Sequence, residues 1–218
     1  MSDSATRPSH IVLLGPPASG KGTQGRKLAA TLGLGYLSTG ALLREQVENA
    51  TPLGKLAEPI LARGGYLPDE LMHPLMGDWL AKQPAGWVLD GFPRSLPQAE
   101  FLDKWLAARG RKLDVAVLLE VPYEDLLNRI CRRVECPDCR WSSQVEQTAA
   151  DGLCPVCGGA ALPRADDTEE NFVNRHQEFV RLTSPVINHY EKLHLLKRCD
   201  GTANQEEVTA NLLDLIGS

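Results

Sequence analysis

An α/β fold, a parallel sheet flanked by helices, is predicted from three features of this 218-residue chain. The first is a set of short apolar runs, Ile11-Val12-Leu13-Leu14, Trp87-Val88-Leu89 and Val115-Ala116-Val117-Leu118-Leu119. Their length and β-branched content suit buried strands better than helices. The second is their setting between helix-like stretches, the alternation that builds parallel sheets. The third is a Gly-Pro-rich turn that joins the first run to a helical pattern. Composition is that of a globular protein, 43% hydrophobic and 23% charged, and suits one compact core with small insertions.

Taken in order, residues 1–9 are polar and expected to fray. After the first strand and the turn at Gly15-Pro16-Pro17, a helix is predicted from Gly22 to about Thr31, with Leu28 and Ala29 on its apolar side. Residues 38–67 look mainly helical and close on Gly64-Gly65, an insertion in the alternation. Helical stretches follow at Pro97–Arg109 and Tyr123–Arg133, one after each of the two later strands. Residues 131–167, rich in Cys, Gly, Pro and Asp, form a second insertion, too small for a core of its own. Long helices are expected at Glu169–Tyr190 and Glu206–Ile216. The core is thus 1–37, 68–130 and 168–218, interrupted by 38–67 and 131–167.

Charge narrows the function. With 23 Lys and Arg against 28 Asp and Glu, the net charge of −5 argues against a broad nucleic-acid-binding face. No apolar run approaches membrane-spanning length, and the start MSDSATRPSH lacks a secretory pattern, so a cytosolic protein is expected.

The strongest motif is Gly15-Pro-Pro-Ala18-Ser19-Gly20-Lys21-Gly22-Thr23-Gln24, between a strand and a helix. There glycines let backbone N–H groups converge on phosphate oxygens, and the helix N-terminus adds partial positive charge. Lys21 would reach the terminal phosphates. An ordinary Gly-rich turn would need neither this lysine nor this context. Gly22 stands before Thr23, where the general pattern has Ser or Thr directly after the lysine.

Four of the six cysteines form two pairs, Cys136-Pro-Asp-Cys139 and Cys154-Pro-Val-Cys157, fourteen residues apart. In a reducing compartment this spacing points to one structural zinc in a closed tetrahedron. Cys131 and Cys199 are expected to be ordinary thiols. A nucleic-acid-binding zinc ribbon is the alternative, but residues 136–157 carry Asp138, Glu146 and Asp151 with Arg140 as the sole cation. A redox dithiol would not need two pairs.

GPPASGKGTQ, Leu37-Ser38-Thr39-Gly40 with Arg44, and Leu89-Asp90-Gly91-Phe92-Pro93-Arg94 with Gln98 together resemble the adenylate kinase family along nearly the whole chain. The related UMP/CMP kinases are a less close likeness, and the paired cysteines resemble the zinc-bearing bacterial type. The resemblance implies a P-loop NTPase-type sheet, with 38–67 as an NMP-binding insertion and 131–167 as a zinc-stapled LID. It also implies reversible phosphoryl transfer from Mg-ATP to AMP, giving two ADP, by a cytosolic monomer that binds neither nucleic acid nor membrane.

The same resemblance assigns roles. Ala18, Ser19, Gly20, Lys21, Gly22 and Thr23 would cradle the ATP phosphates, with Asp90 orienting Mg²⁺ through water. Arg44, Arg94, Arg164 and Arg175 would grip the acceptor phosphate. Arg132 and Arg175 would act as arginine fingers in cis, a job planar guanidinium forks suit. Arg129 would stack on the ATP base, Ala203 would offer its carbonyl there, and Ser142 and Ser143 are candidate LID contacts to ATP. Thr39, Gln98, Gly65-Tyr66-Leu67 and Gly91-Phe92-Pro93 would surround AMP, and Asp166-Asp167 would form an acidic pair at the LID hinge. A Gln amide both donates and accepts, which favours adenine over a pyrimidine.

Four departures from the family are visible. Two residues separate Arg129 from Arg132 where three are usual, and 141–153 is short and lacks a Phe-Asn-Pro-Pro segment. Ala41 replaces an acidic residue. Ala18 replaces a glycine, a change that is strain-free only at negative φ.

Overall fold

The computed structural model describes residues 8–149 and 151–217. Its central sheet is parallel, in the order β2 (Gly35–Ser38), β3 (Trp87–Asp90), β1 (His10–Leu14), β4 (Val115–Glu120) and β8 (Leu196–Asp200). The three apolar runs are the three central strands. The edges β2 and β8 were not predicted, and burial explains why. Leu37 is the buried residue of β2 and Cys199 that of β8, so neither strand carries a continuous apolar run.

Side chains alternate across the sheet. Val12, Leu14, Leu89, Ala116 and Leu118 pack on one face, beneath α5 (Leu96–Ala107) and α8 (Ser184–Lys192). Ile11, Leu13, Val88, Val117 and Leu119 pack on the other, beneath α1 (Lys21–Leu32) and α9 (Gln205–Gly217). Leu28 and Ala29 of α1 are buried there, as the helical period requires.

Between β2 and β3 lie α2 (Thr39–Glu48), α3 (Pro52–Ala62) and α4 (Asp69–Leu80). Ser38 and Thr51 cap α2 and α3 by accepting from the N–H of Ala41 and Gly54. After α6 (Tyr123–Cys131) the chain forms a small antiparallel sheet from β5 (Arg133–Glu135), β6 (Ser142–Gln144) and β7 (Leu162–Pro163), in the order β6-β5-β7. The long helix expected at Glu169–Tyr190 is α7 (Glu169–Glu178), a π-helical stretch at Phe179–Thr183, and α8. Pro185 has no N–H to give Arg181, and the widened turn accommodates that loss.

Fraying was expected through residue 9. Residues 1–7 lie outside the described residues, but Ser9 is held. The N–H groups of Ser9 and His10 both donate to Asp114 Oδ2, at 2.8 and 2.9 Å, and Ser9 O accepts from Trp87 N. Burial opposes ionisation of Asp114, yet hydrogen bonds from His10 and Ser9 hold its carboxyl down to about 2. The unfolded value is about 3.9, so the stability from this carboxylate is present above roughly pH 4 and lost as pH falls towards 2. Asp114→Ala is expected to cost about 1–3 kcal/mol at neutral pH. Thermal melts from pH 7 to 2 should bring variant and parent together at the acid end.

Candidate active site

The strand order reverses beside β1, with β3 on one side and β4 on the other, and a cleft of 520 Å³ opens beyond the strand ends. The loop 15–20 forms its floor. Gly15, at φ +148°, has no room for a side chain, because a Cβ would meet Ser19 Oγ at 2.8 Å and Leu119 O at 2.9 Å. Ala18 adopts φ +65°, against the negative value that would make its replacement of glycine strain-free. Left-handed backbone at an L-residue costs about 1–2 kcal/mol, which the surrounding loop must supply.

Lys21 Nζ donates to Gly15 O at 2.8 Å, Pro16 O at 2.7 Å and Ser19 Oγ at 3.2 Å. Burial lowers the Lys21 pKa to about 8; Asp90 opposes the shift, while Arg94 and Arg133 add to it. Asp90, at the end of β3, accepts from Tyr36 Oη at 3.2 Å. The Tyr36 ring crosses α1 at Gly25, where a Cβ would come within 2.6 Å of it. Ser19, Gly20, Gly22 and Thr23 also line the cleft.

Cations cover the rest of its wall: Arg44 from α2, Arg94 after β3, Arg129 from α6, Arg133 from β5, Arg164 and Arg175. Two carboxylates organise three of them. Asp167 accepts from Arg133 Nε and Nη2, both at 2.6 Å, and from Arg175 Nη1 at 3.3 Å. Asp166 accepts from Arg164 at 3.1 and 2.9 Å and also pairs with Arg175. Although burial opposes it, Arg164 and Arg175 hold the Asp166 carboxyl well below the usual carboxylate range. Burial lowers the Arg44 pKa to about 10, and Arg164 adds to the shift. Such dense positive charge calls for an anionic ligand.

One expected arginine is displaced by a single position. Arg132 points away from the cleft, more than half exposed and paired with Glu146. Arg133, the first residue of β5, takes the inward place. Arg132 caps the C-terminus of α6, at φ −111° and ψ 3°, and extended backbone begins only at Arg133, so the junction of helix and strand sends the two side chains to different sides. Three residues then separate the inward arginines, Arg129 and Arg133, which removes the spacing anomaly.

Four residues expected around the acceptor lie behind the cleft wall rather than on it. Phe92 and Leu67 belong to the core. Thr39 Oγ1 donates to Gly91 O at 2.8 Å. Gln98 is buried, with Nε2 donating to Asp69 Oδ1 at 2.7 Å and Oε1 accepting from Arg94 N at 2.8 Å. Asp69 accepts only, so it fixes which end of the amide faces Arg94. Gly65, Tyr66, Gly91 and Pro93 do reach the cleft, and the Tyr66 ring lies 4.3 Å from the Arg94 guanidinium carbon.

On the far side, Arg129 Nη2 donates to Gly201 O at 2.8 Å beside Ala203. Thr23 Oγ1 donates to Ser142 O at 3.3 Å, and Ser143 Oγ accepts from Gln205 Nε2 at 2.8 Å. These bonds seat the small sheet over the glycine loop. Sequence reasoning missed Arg133, Tyr36, Glu135 and Gln205. Arg133 alone had a signal, the regular spacing from Arg129.

The sulfurs of Cys136, Cys139, Cys154 and Cys157 lie within 4.8 Å of one another, with 3.5 Å between Cys136 and Cys157 and between Cys139 and Cys154. A tetrahedral zinc with bonds of about 2.3 Å sets its sulfurs about 3.8 Å apart, so this cluster could hold one. Cys131 and Cys199 lie outside it. Among the described residues no helix is long and apolar enough to cross a membrane.

Residues 13–195 match the family model described as adenylate kinase. Curated relatives agree. An adenylate kinase of Clostridium tetani is 36% identical over 96% of this chain and 99% of its own length. One from Lachnospira eligens is 38% identical over 95% and 99%, and one from Novosphingobium aromaticivorans 41% over 92% and 95%.

Proposed function

The chain belongs to the adenylate kinase family, and on that premise we propose that it transfers the γ-phosphoryl group of Mg-ATP to AMP, reversibly giving two ADP, as a cytoplasmic monomer that balances adenine nucleotides. The observation that carries this reading is the convergence of Lys21, Arg44, Arg94, Arg133, Arg164 and Arg175 on one cleft above a glycine-rich loop. Phosphoryl transfer asks for two nucleotides held in line, charge neutralised and water excluded, and this cleft has the parts for each task.

In this reading the loop amides and Lys21 hold the donor phosphates, while Arg44, Arg94 and Arg164 hold the acceptor phosphate. Arg133 and Arg175, locked by Asp167 and Asp166, meet the transferring group without further reorganisation. Residues 131–167 act as a LID whose seat on Thr23 and Gln205 keeps water from the reaction. Thr39 and Gln98 act from behind the wall by fixing Gly91 and Arg94; to meet the base, as the resemblance implies, their side chains would have to leave those partners as the acceptor seats. Asp90 and Thr23 offer hard oxygens beside Lys21, which fits Mg²⁺ held partly through water. When bound, Mg²⁺ supplies charge neutralisation across the donor phosphates.

The test is ADP production from Mg-ATP with AMP, CMP, UMP and GMP in turn. Strong turnover with AMP alone is expected. Turnover with a pyrimidine acceptor would keep the chemistry and overturn the base assignment, and silence with every acceptor would overturn the reading.

The four cysteines are assigned a structural zinc that holds the LID as one unit. Metal analysis should find about one zinc per chain, the capacity of a single four-thiolate site. Chelation should lower the melting temperature and expose residues 136–157 to protease. A metal-free protein with unchanged melting would remove this assignment.

A further inference from the structure

Glu135 is a carboxylate in an arginine cluster that has no obvious need of it. It ends β5, its side chain is 11% exposed, and it lines the cleft. Oε2 lies 3.6 Å from Arg44 Nη2 and 3.6 Å from Arg164 Nε, and Oε1 lies 3.8 Å from Arg140 Nη1. Arg44 comes from α2 and Arg164 from the far end of the LID, so one carboxylate lies between arginines of two separate parts of the chain. Arg140 continues the chain of charges, donating to Glu48 of α2 at 2.6 and 3.2 Å. Both LID members flank a zinc knuckle: Glu135 precedes Cys136 and Arg140 follows Cys139.

At 3.6–3.8 Å these are ion pairs without close hydrogen bonds, the loose coordination of a charge that can be replaced. Asp166 and Asp167 differ, because they grip their arginines at hydrogen-bond distance and cannot leave without unseating them. A phosphate brought onto Arg44 and Arg164 would lie close to the Glu135 carboxylate and be repelled by it.

We propose that Glu135 is a resident counter-ion of the acceptor-phosphate subsite, holding the LID against α2 through Arg44 and Arg164 until the phosphate of the incoming nucleoside monophosphate displaces it. The proposal rests on the assignment of Arg44 and Arg164 to that phosphate. Its consequence is that the enzyme binds its acceptor less tightly than its arginines allow. It also ties acceptor affinity to the metal knuckle that carries Glu135 and Arg140.

The test is calorimetric binding of AMP and of adenosine to the intact zinc-loaded protein, without ATP. Glu135→Gln keeps the shape and removes the charge. It is expected to tighten AMP binding roughly fivefold, about what a partly screened ion pair is worth, and to leave adenosine unchanged. Unchanged or weaker AMP binding, or equal tightening of adenosine, would overturn the proposal. Arg44→Ala separates the underlying assignment. If it leaves AMP binding intact, the subsite itself is misplaced; if it abolishes AMP binding while Glu135→Gln does not tighten it, the subsite stands and the counter-ion role falls. Matching melting curves for parent and Glu135→Gln confirm that the comparison is between folded proteins.

Discussion

Lys21→Met should lower kcat by about a thousandfold or more while leaving the melting temperature within a few degrees of the parent. A single preorganised electrostatic donor is worth 10²–10³ in rate, and Lys21 is expected to lie at the upper end because the proposed reading keeps it on the donor phosphates throughout the transfer. Its partners in the free protein are Gly15 O, Pro16 O and Ser19 Oγ, groups of the loop itself. Methionine leaves those acceptors without their ammonium but preserves the packing volume, so activity should fall much further than stability. The lowered pKa adds a second signature. With burial holding the free lysine near 8, the protonated form that phosphate requires is depleted above that pH. Apparent ATP affinity should therefore weaken as pH rises through about 8, and Lys21→Met should show a flat profile there. A variant within tenfold of parental turnover would mean that the loop cradles something other than the reacting phosphates.

What was legible in the sequence follows from burial. β1, β3 and β4 are covered on both faces, so they appear as unbroken apolar runs, whereas β2 and β8 lie at the edges and have one buried residue each. α4 carries Pro74 and Gly77, which blur its helical period. The glycine loop was legible because its chemistry needs glycine at positions such as Gly15, where no side chain fits. The cysteine cluster was legible because four thiols can converge only from two close-spaced pairs. What a spacing rule cannot supply is the side of a strand on which a residue emerges. That failure moved the inward arginine by one position and left Glu135, one alternation further along β5, unseen. Gln98 shows another limit. Its residue type was informative, but that its amide is bound to Asp69 and Arg94 N depends on contacts across 29 and 4 positions of sequence.

Arg132 and Arg133 allow that limit to be tested in one experiment, because they are adjacent, share a residue type and differ only in where the junction of α6 and β5 sends them. Arg133→Ala should reduce kcat by about 10³ or more, the scale on which an arginine finger acts on a transferring phosphoryl group. The effect should fall on kcat rather than on the AMP or ATP KM, since an interaction made mainly in the transition state leaves ground-state binding little changed. Arg132→Ala removes an exposed partner of Glu146 and should leave kcat within about twofold, as exposed ion pairs contribute little. Arg133→Ala also strips Asp167 of a bidentate partner at 2.6 Å, so some stability will be lost. Arg133→Lys keeps a charge near Asp167 but cannot reproduce two parallel N–H bonds, and it should recover stability more fully than rate. If Arg132→Ala proves the more damaging change, then the junction of α6 and β5 turns the other way in the working enzyme, and Glu135, on the same face of β5 as Arg133, would turn away with it.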